Sequence, residues 1–349
     1  MARKKILSLT PLVAASLLLC GGAMAQTKTL YIGMNGGTME KSYVEFVFPA
    51  FEKANNVKVV VVPGTSSEVL AKVQASKEKP PMHVMFLDDG VMYRAIGLGL
   101  CQKMRPSPVL NDLYPVARMK GDMATGISLG MTGLAYNKKM YTDKGWAPPT
   151  SWMDLADPKL KGKVVFQSMP SSTFGLHGFM MFNRIQGGDD RNVEPGFKAW
   201  PTTIGPNVLE YIPSSAKLAE MIQTGDAAIA PLTPTQVSVL KAKGIPIEYA
   251  QPKEGSVVLI TAQCVVANTP DVELAQKLAE HLLGAEAQAA LLQHASQLPT
   301  NAKTVAPGES AAMLTQIAGY MKNAVAVDWD SINENRPKWN ERWNKTIER

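Results

Sequence analysis

The chain has 349 residues, of which 46% are hydrophobic and 7% aromatic, and it carries a net charge of +6. This composition is typical of a globular α/β protein, and the length allows two domains of ordinary size. The charge is too small, and the basic residues are too scattered, to indicate binding to nucleic acid or to a membrane surface.

The N-terminal segment has the three parts of a secretory signal peptide. Residues 3–5 are basic, residues 6–20 are apolar, and residues 23–25 read A-x-A. The apolar run is too short to span a bilayer, so we expect cleavage after Ala25 and export to a bacterial periplasm. Cys20 leaves lipid attachment open as an alternative, but the leucine before it is larger than such a signal requires. Removal of residues 1–25 leaves a net charge of +3.

Short apolar runs then alternate with amphipathic stretches along the rest of the chain. The runs that predict strands are 30–34, 57–62, 83–87, 127–135, 163–167, 227–232, 245–249 and 256–267. The stretches that predict helices are 66–77, 171–185, 214–223, 235–243, 272–283, 285–294 and 310–323. A further helical pattern at 39–54 is interrupted by Pro49, which predicts a kink or a late start. The alternation predicts largely parallel sheets with helices on both faces.

Two long extended runs are candidates for passages between domains. Residues 127–137 contain two glycines, and residues 256–267 follow a predicted turn at 252–255. If both runs cross between domains, the middle of the chain is a domain inserted into the first. Two shared strands would then act as a hinge.

Two cysteines, Cys101 and Cys264, remain after the signal peptide is removed. Export would permit a disulfide between them. Each lies beside an apolar run, however, and this favours two buried free thiols.

Hydroxyl residues follow four of the predicted strands and are placed to cap helices. They are Thr38, Thr65, the pair Ser171 and Ser172, and Thr233. In open α/β sheets a ligand lies beyond the carboxyl ends of the strands, where helix N-termini present free N–H groups. Such amides and hydroxyls could hold a carboxylate, phosphate or phosphonate without Lys or Arg. The alternative is that each residue is an ordinary cap, worth about 1 kcal/mol of helix stability.

Carboxylates occur near the same strand ends. Asp88 and Asp89 end the strand at 83–87, where they could bind a ligand amine or cap the next helix. Asp226 and Glu254 are weaker candidates of the same kind.

One motif suggests catalysis. Residues 126–130 read G-x-S-x-G around Ser128, and His281 and His294 lie downstream. A nucleophile elbow needs a helix directly after the serine, whereas the following residues look extended, so a hydrolase is the disfavoured alternative. The histidines are not in a zinc spacing and no glycine-rich phosphate loop is present, so we expect no metal and no cofactor.

The C-terminal segment contains Trp329, Trp339 and Trp343. The last two are four residues apart and therefore share one face of a helix. We expect this pair to pack the C-terminal helix onto the rest of the protein.

Seven segments together resemble a known family. They are PPMHVMFLDDG (80–90), GLAYNKKMY (133–141), PPTSWMDLADPKLKGKVVF (148–166), TGDAAIAP (224–231), PKEGSVVL (252–259), LPTN (298–301) and DWDSINENRPKWNERWNK (328–345). With these, the chain resembles the periplasmic solute-binding proteins of ABC importers, in the branch related to polyamine-binding proteins.

The resemblance implies the type II periplasmic-binding fold, with two α/β lobes, each a mostly parallel sheet flanked by helices, and a two-strand hinge. On this basis we expect lobe 1 at 26–132 and 257–308, lobe 2 at 133–256, and C-terminal helices at 309–349. It also implies delivery of a small solute to a membrane permease with a cytoplasmic ATPase; we expect a monomer without enzymatic activity. The implied ligand-binding residues are Asn35, Gly37, Thr38, Thr65, Ser66, Ser67, Asp88, Asp89, Thr132, Ser171, Ser172, Thr173, Asp226, Thr233, Thr235 and Glu254.

Two departures from this family bear on the solute. The first loop, 35–38, has no aromatic residue, although polyamine binders have one there to face an amine. Tyr136 stands beside Asn137 where iron-binding relatives have adjacent tyrosines, so ferric iron is not expected. These features favour a carboxylate, phosphonate or zwitterion as the solute. A polyamine or another small cation is the alternative.

Overall fold

The structure is a computed structural model that describes residues 27–213, 215–306 and 308–348. The predicted signal peptide and its cleavage site lie outside these residues. Within them, no helix combines the length and the apolar character needed to cross a membrane.

The described residues form thirteen strands and thirteen α-helices. The strands are β1 (Lys28–Met34), β2 (Val57–Pro63), β3 (Val84–Asp88), β4 (Cys101–Gln102), β5 (Arg118–Met119), β6 (Ala124–Met131), β7 (Gly133–Asn137), β8 (Val164–Gln167), β9 (Val208–Ile212), β10 (Ile229–Leu232), β11 (Ile247–Ala250), β12 (Ser256–Val266) and β13 (Ala324–Val325). The helices are α1 (Thr38–Phe46), α2 (Phe48–Asn55), α3 (Ser66–Ala75), α4 (Asp89–Gly97), α5 (Lys138–Asp143), α6 (Thr173–Ile185), α7 (Glu194–Ala199), α8 (Ala216–Thr224), α9 (Pro234–Ala242), α10 (Val272–Leu282), α11 (Ala285–Ala295), α12 (Glu309–Met321) and α13 (Trp329–Thr346).

The helical pattern at 39–54 is two helices, as Pro49 indicated. Helix α1 ends at Phe46, and α2 begins at Phe48 with Pro49 in its first turn. Proline is tolerated in a first turn because its missing N–H has no helical partner there.

The first sheet has eight strands, and its main path runs β2-β1-β3-β12-β6-β5. Strands β2, β1 and β3 are parallel, whereas β12 runs antiparallel to β3 and β6. The second sheet has five strands in the order β11-β7-β10-β8-β9. Strands β10, β8 and β9 are parallel there, and β7 and β11 join antiparallel. The molecule is therefore an α/β protein with two sheets, as predicted, and each sheet combines a parallel set with antiparallel strands.

The chain passes between the two sheets near Thr132, where β6 of the first sheet ends and β7 of the second begins. It returns through residues 251–255 into β12, which lies wholly in the first sheet. Gly133 allows the first passage to approach β11 closely, because a Cβ atom there would lie 2.2 Å from the Tyr249 hydroxyl oxygen. Both extended runs predicted at these places are strands, although 127–137 divides into two.

The C-terminal helix α13 makes a third connection that the sequence did not predict. Strand β13 still pairs with β12 of the first sheet. Trp339 and Trp343 of α13 are buried in the aromatic core beside the second sheet, which confirms their predicted packing role. At its start, α13 instead contacts helix α4 beside the first sheet, where Asn333 Nδ2 donates to the Gly90 carbonyl oxygen at 2.7 Å. One helix therefore touches both halves of the molecule.

Cys101 and Cys264 form a disulfide, with their Cα atoms 5.6 Å apart. The interpretation as two free thiols was wrong. Both sulfurs are buried as expected, but β4 returns alongside β12 and brings the two cysteines together. This strand pairing joins residues 163 positions apart, so neighbouring residues in the sequence could not reveal it.

Reduction of this disulfide is expected to lower the free energy of unfolding by about 2–4 kcal/mol, because the bond restricts a long loop of the unfolded chain. Urea unfolding with and without a reductant measures the loss, and thiol titration verifies complete reduction. The matched control is the Cys101→Ala, Cys264→Ala double variant, which should be insensitive to reductant. Unchanged unfolding of a fully reduced chain contradicts the prediction.

Candidate functional site

A cavity of about 990 Å³ lies between the two sheets. The carboxyl ends of β3 and β8 open onto it, together with the N-termini of α3, α6 and α9. Ten of the predicted ligand-binding residues line it: Asn35, Thr65, Ser66, Ser67, Asp88, Ser171, Ser172, Thr173, Thr233 and Thr235. They come from both sheets, as the strand-end rule for α/β proteins predicts.

Three of the four predicted helix caps are formed. Thr65 and Glu68 make a reciprocal capping box at α3, in which Thr65 N donates to Glu68 Oε2 at 2.8 Å. Ser172 Oγ accepts from Phe174 N at 3.2 Å at the start of α6. Thr233 Oγ1 accepts from Gln236 N at 3.2 Å at the start of α9. These bonds fix three helix N-termini at the cavity, where the positive end of each helix dipole favours an anion.

The fourth predicted cap, Thr38, is wrong. Helix α1 begins at Thr38 itself, and Gly37 is the N-cap residue with φ of 72°. The helix therefore starts one residue earlier than a Thr38 cap would place it, and Gly37 can be the N-cap because glycine tolerates a positive φ. Asn35 and Gly36 line the cavity.

Asp88 is the only carboxylate that lines the cavity among the described residues. Its Oδ2 accepts a hydrogen bond from Thr173 Oγ1 at 3.1 Å, and its backbone N donates to Ser66 Oγ at 3.0 Å. The first bond joins the end of β3 to the start of α6 and therefore spans the cavity. Burial raises the pKa of the Asp88 carboxyl, and Thr173 and Arg336 partly oppose this rise.

Arg94 of α4 and Arg336 of α13 also line the cavity, and neither was predicted from the sequence. Arg336 is partly buried, and Nη2 donates to the Met169 carbonyl oxygen at 3.5 Å. Burial lowers the pKa of Arg336, and the like charge of Arg94 lowers it further. The two positive charges are therefore near enough to repel each other.

The other five arginines of the described residues each form a salt bridge with a carboxylate. Salt bridges pair Arg105 with Glu273, Arg118 with Asp122, Arg184 with Asp190, Arg191 with Asp328 and Arg342 with Glu194. Of the seven arginines in the described part of the chain, only Arg94 and Arg336 make no salt bridge. The two arginines without a carboxylate partner are thus the two at the cavity.

Helix α13 supplies a wall of the cavity that the resemblance did not indicate. Asn333, Arg336, Pro337 and Asn340 all line it. Their spacing of three, four and seven residues places them on one helix face, beside the stripe that carries Trp339 and Trp343. This periodicity was readable in the sequence, but only the packed position of α13 shows which space the polar face adjoins.

Five other predicted site residues, Gly37, Asp89, Thr132, Asp226 and Glu254, do not line the cavity. Glu254 accepts from Ser151 Oγ at 2.5 Å, and Asp226 accepts from Thr224 Oγ1 at 2.7 Å. Thr132 is buried and its Oγ1 lies 2.8 Å from His177 Nδ1. The polar groups of Glu254, Asp226, Thr132 and Asp89 bond within the protein. A polar residue at a strand end looks the same in the sequence whether it makes such a bond or contacts a ligand.

Asp89 is a buried carboxyl directly behind the cavity. Its Oδ1 accepts from Gly90 N at 3.0 Å and its Oδ2 from Ile260 N at 3.4 Å. Burial and the neighbouring Asp88 raise its pKa to about 8. The folded protein therefore retains a proton here at pH values where the unfolded chain has lost it.

The Asp89→Asn variant is expected to become progressively more stable than the parent chain as pH rises from about 5 to 8. In that interval the folded parent holds a proton that the unfolded chain, with a carboxyl pKa near 4, has released, so its stability falls with pH. The difference should grow by at most about 1.4 kcal/mol per pH unit. Urea unfolding at several pH values measures it, with the exposed Asp226→Asn as control. A pH-independent difference contradicts the prediction.

Ser128 lines the cavity but lies inside strand β6. The next residues continue the strand, so the strand-turn-helix arrangement of a nucleophile elbow is not formed at Ser128. His281 and His294 are engaged elsewhere: His281 Nε2 lies 3.1 Å from the Val47 carbonyl oxygen, and the His294 ring stacks on Phe46. Across the described ranges, no three metal-binding side chains are grouped to hold a metal ion.

Comparisons with known proteins give consistent results. A family model described as bacterial extracellular solute-binding protein matches residues 47–319. The chain is 25% identical over 286 residues to spermidine/putrescine-binding periplasmic protein 1 of Haemophilus influenzae, covering 78% of each chain. It is 21% identical over 331 residues to a Salmonella typhimurium periplasmic protein provisionally named for 2-aminoethylphosphonate binding, covering 90% of each chain.

One solved structure with the same fold is an ABC transporter protein from Clostridium perfringens. The TM-score is 0.77 at 21% identity, and the match covers 91% of this chain and 99% of the other. At this identity the similarity establishes the two-lobe fold alone.

Proposed function

Because the chain belongs to the bacterial extracellular solute-binding protein family, it is a solute-binding component of an ABC transporter, and we propose that its solute carries a carboxylate or phosphonate group. The cavity between the sheets is the proposed binding site. The solute is small and polar, since hydroxyls, amides and two guanidinium groups contribute much of the lining.

The observation that carries this proposal is the pair of arginines without salt bridges. Arg94 and Arg336 line the cavity, while the five other described arginines are paired with carboxylates. A guanidinium group presents a fork of N–H donors that matches a carboxylate or phosphonate. Each charge-assisted hydrogen bond contributes about 1.5–3 kcal/mol, more than a neutral hydroxyl contact. Three helix N-termini add partial positive charge at the same place.

The proposed mechanism is capture by closure of two lobes. Lobe 1 is assigned to 26–132 and 257–308 and lobe 2 to 133–256, with the C-terminal helices, 309–349, packed on them. Thr65, Ser66 and Arg94 contact the solute from lobe 1, and Ser172 and Thr233 contact it from lobe 2. Only the closed arrangement offers both sets of contacts, so the solute shifts the population towards closure.

We propose that the mature protein is a periplasmic monomer that delivers its solute to a membrane permease with a cytoplasmic ATPase. It binds the solute without a catalytic step. The position of Ser128 within β6, without a helix after it, supports binding without turnover.

A polyamine or another small cation is the alternative solute. Asp88 supports it, because this carboxylate lines the cavity and could accept hydrogen bonds from an amine. The Haemophilus relative named for spermidine and putrescine supports it as well. Against it, the two unpaired arginines would repel a cation.

A thermal-shift titration of the purified mature protein distinguishes these solutes. Bound solute raises the unfolding temperature by mass action, and about 100-fold excess over Kd stabilises the folded state by about 2.7 kcal/mol. We expect stabilisation by 2-aminoethylphosphonate, phosphonates or small carboxylates. Stabilisation by putrescine or spermidine, with none by any anion, would overturn the proposed preference.

A further inference from the structure

Helices α4 and α13 are packed so that Arg94 and Arg336 belong to one wall of the cavity. Asn333 Nδ2 donates to the Gly90 carbonyl oxygen at 2.7 Å. Trp329 approaches so closely that a Cβ atom on Gly90 would lie 2.8 Å from its ring. Arg94 is one helical turn after Gly90, and Arg336 is three residues after Asn333. The contact between the two helices therefore brings both arginines to the same side.

This wall has two positive charges and one carboxylate. Asp88 is the only acidic residue in the described lining, and its Oδ2 already accepts from Thr173. The lining has a formal charge of +1 when Asp88 is ionised and +2 when it is protonated. With Asp88 ionised, a monoanion balances the net charge of the lining but can compensate only one of the two arginines directly. A dianionic group compensates both arginines and leaves Asp88 available to a positive group of the same solute.

We propose that the solute is held through a dianionic phosphoryl group, either a phosphonate or a phosphate monoester, bound between Arg94 and Arg336. This inference rests on the proposed function and specifies the chemical class of its solute. The C-terminal helix is then part of the binding site, because it supplies one of the two guanidinium groups.

The number of donors also matches this group better than a carboxylate. A phosphoryl group has three charged oxygens in a tetrahedral arrangement, whereas a carboxylate has two in a plane. Two guanidinium forks, the amides at the start of α3 and the hydroxyls of Ser66 and Ser67 can surround a tetrahedral group from several directions.

Matched probes test the inference by isothermal titration calorimetry at about pH 9, where phosphate esters, with a second pKa near 6, and the more basic alkylphosphonates are both dianionic. 2-Aminoethylphosphonate is compared with β-alanine, which has the same chain but a carboxylate. Ethylphosphonate and ethyl phosphate separate a phosphonate from a phosphate monoester. We expect a phosphoryl probe to bind at least tenfold more tightly than its carboxylate counterpart. Equal affinity for 2-aminoethylphosphonate and β-alanine would overturn the inference.

Variants test whether the arginines are responsible. Arg94→Gln and Arg336→Gln should each weaken phosphoryl binding at least tenfold and reduce the preference over β-alanine. Arg342→Gln is the matched control, because Arg342 lies on the same helix outside the cavity and pairs with Glu194. If Arg336→Gln fails to fold by circular dichroism, Arg336→Lys replaces it. This variant keeps the charge without the fork, and we expect an intermediate loss.

The outcomes separate this inference from the proposed function. Tight binding of carboxylates that depends on both arginines, without preference for phosphoryl probes, removes the dianion and keeps the anion-binding function. Undiminished phosphoryl affinity in both glutamine variants removes the two-arginine site. Binding of putrescine with no anion bound overturns both.

Discussion

The Trp343→Ala variant is expected to unfold with a free energy about 3–5 kcal/mol below that of the parent chain. Trp343 is fully buried, and its ring centroid lies 5.3 Å from that of Trp200 and 5.5 Å from those of Phe179 and Tyr211. Its Nε1 donates to Glu348 Oε2 at 2.7 Å. Truncation removes these contacts and leaves a cavity that the surrounding rings cannot fill. Urea unfolding measures the loss.

The same variant should also weaken solute binding, because Trp343 anchors the helix that carries Arg336. Trp343→Phe is the matched control, since it keeps an aromatic ring and removes only the larger indole and its N–H. We expect a smaller loss of stability and near-parent affinity for 2-aminoethylphosphonate. A stability loss below about 1 kcal/mol for Trp343→Ala would show that the aromatic cluster does not hold α13.

The Asp88→Asn variant is expected to change the affinities for two related solutes in opposite directions. Ethylphosphonate should bind about 3–10-fold more tightly, because a negative charge beside the anion is removed. 2-Aminoethylphosphonate should bind about tenfold more weakly, because its ammonium group loses a carboxylate partner. Asparagine retains an oxygen that can accept the bond from Thr173, so the contact across the cavity can persist. Calorimetric titration of both probes measures the two changes.

Asp226→Asn controls for a general effect of net charge, because Asp226 is exposed and lies outside the cavity lining. It should leave both affinities unchanged. If Asp88→Asn weakens ethylphosphonate and 2-aminoethylphosphonate equally, Asp88 supports the shape of the cavity and does not contact an amine. If only putrescine binding is lost, Asp88 serves the cationic alternative.

Much of the fold follows from local patterns. The alternation of apolar runs and amphipathic stretches predicted the order of most strands and helices. The spacing between buried residues differs between a strand and a helix, and it can be read within a single element. Thr65, Ser172 and Thr233 were identified as caps because a cap bonds to a residue two or three positions later. The prediction for Thr38 was wrong by one position, because Gly37, whose φ is positive, is the N-cap. The local pattern does not show which of these adjacent residues takes the cap position.

The candidate site was predicted in part. Strand ends and caps identified five lining residues, because parallel strands place their carboxyl ends at one edge of a sheet, and the family resemblance supplied the other five. Glu254 and Asp226 follow the same local pattern but bond to Ser151 and Thr224 outside the cavity. Arg94 and Arg336 were missed because an arginine on an amphipathic helix is normally a solvent-exposed residue.

The sequence by itself determined the α/β class, the interruption of the helix at Pro49 and three of the helix N-termini, all of which depend on residues only a few positions apart. Its segments also carried the resemblance to solute-binding proteins. Only the tertiary structure decided that Cys101 pairs with Cys264 and that α13 closes the cavity with Arg336 near Arg94. These features join residues far apart in the chain. Their contacts depend on how whole elements pack, and local residue patterns do not encode that packing.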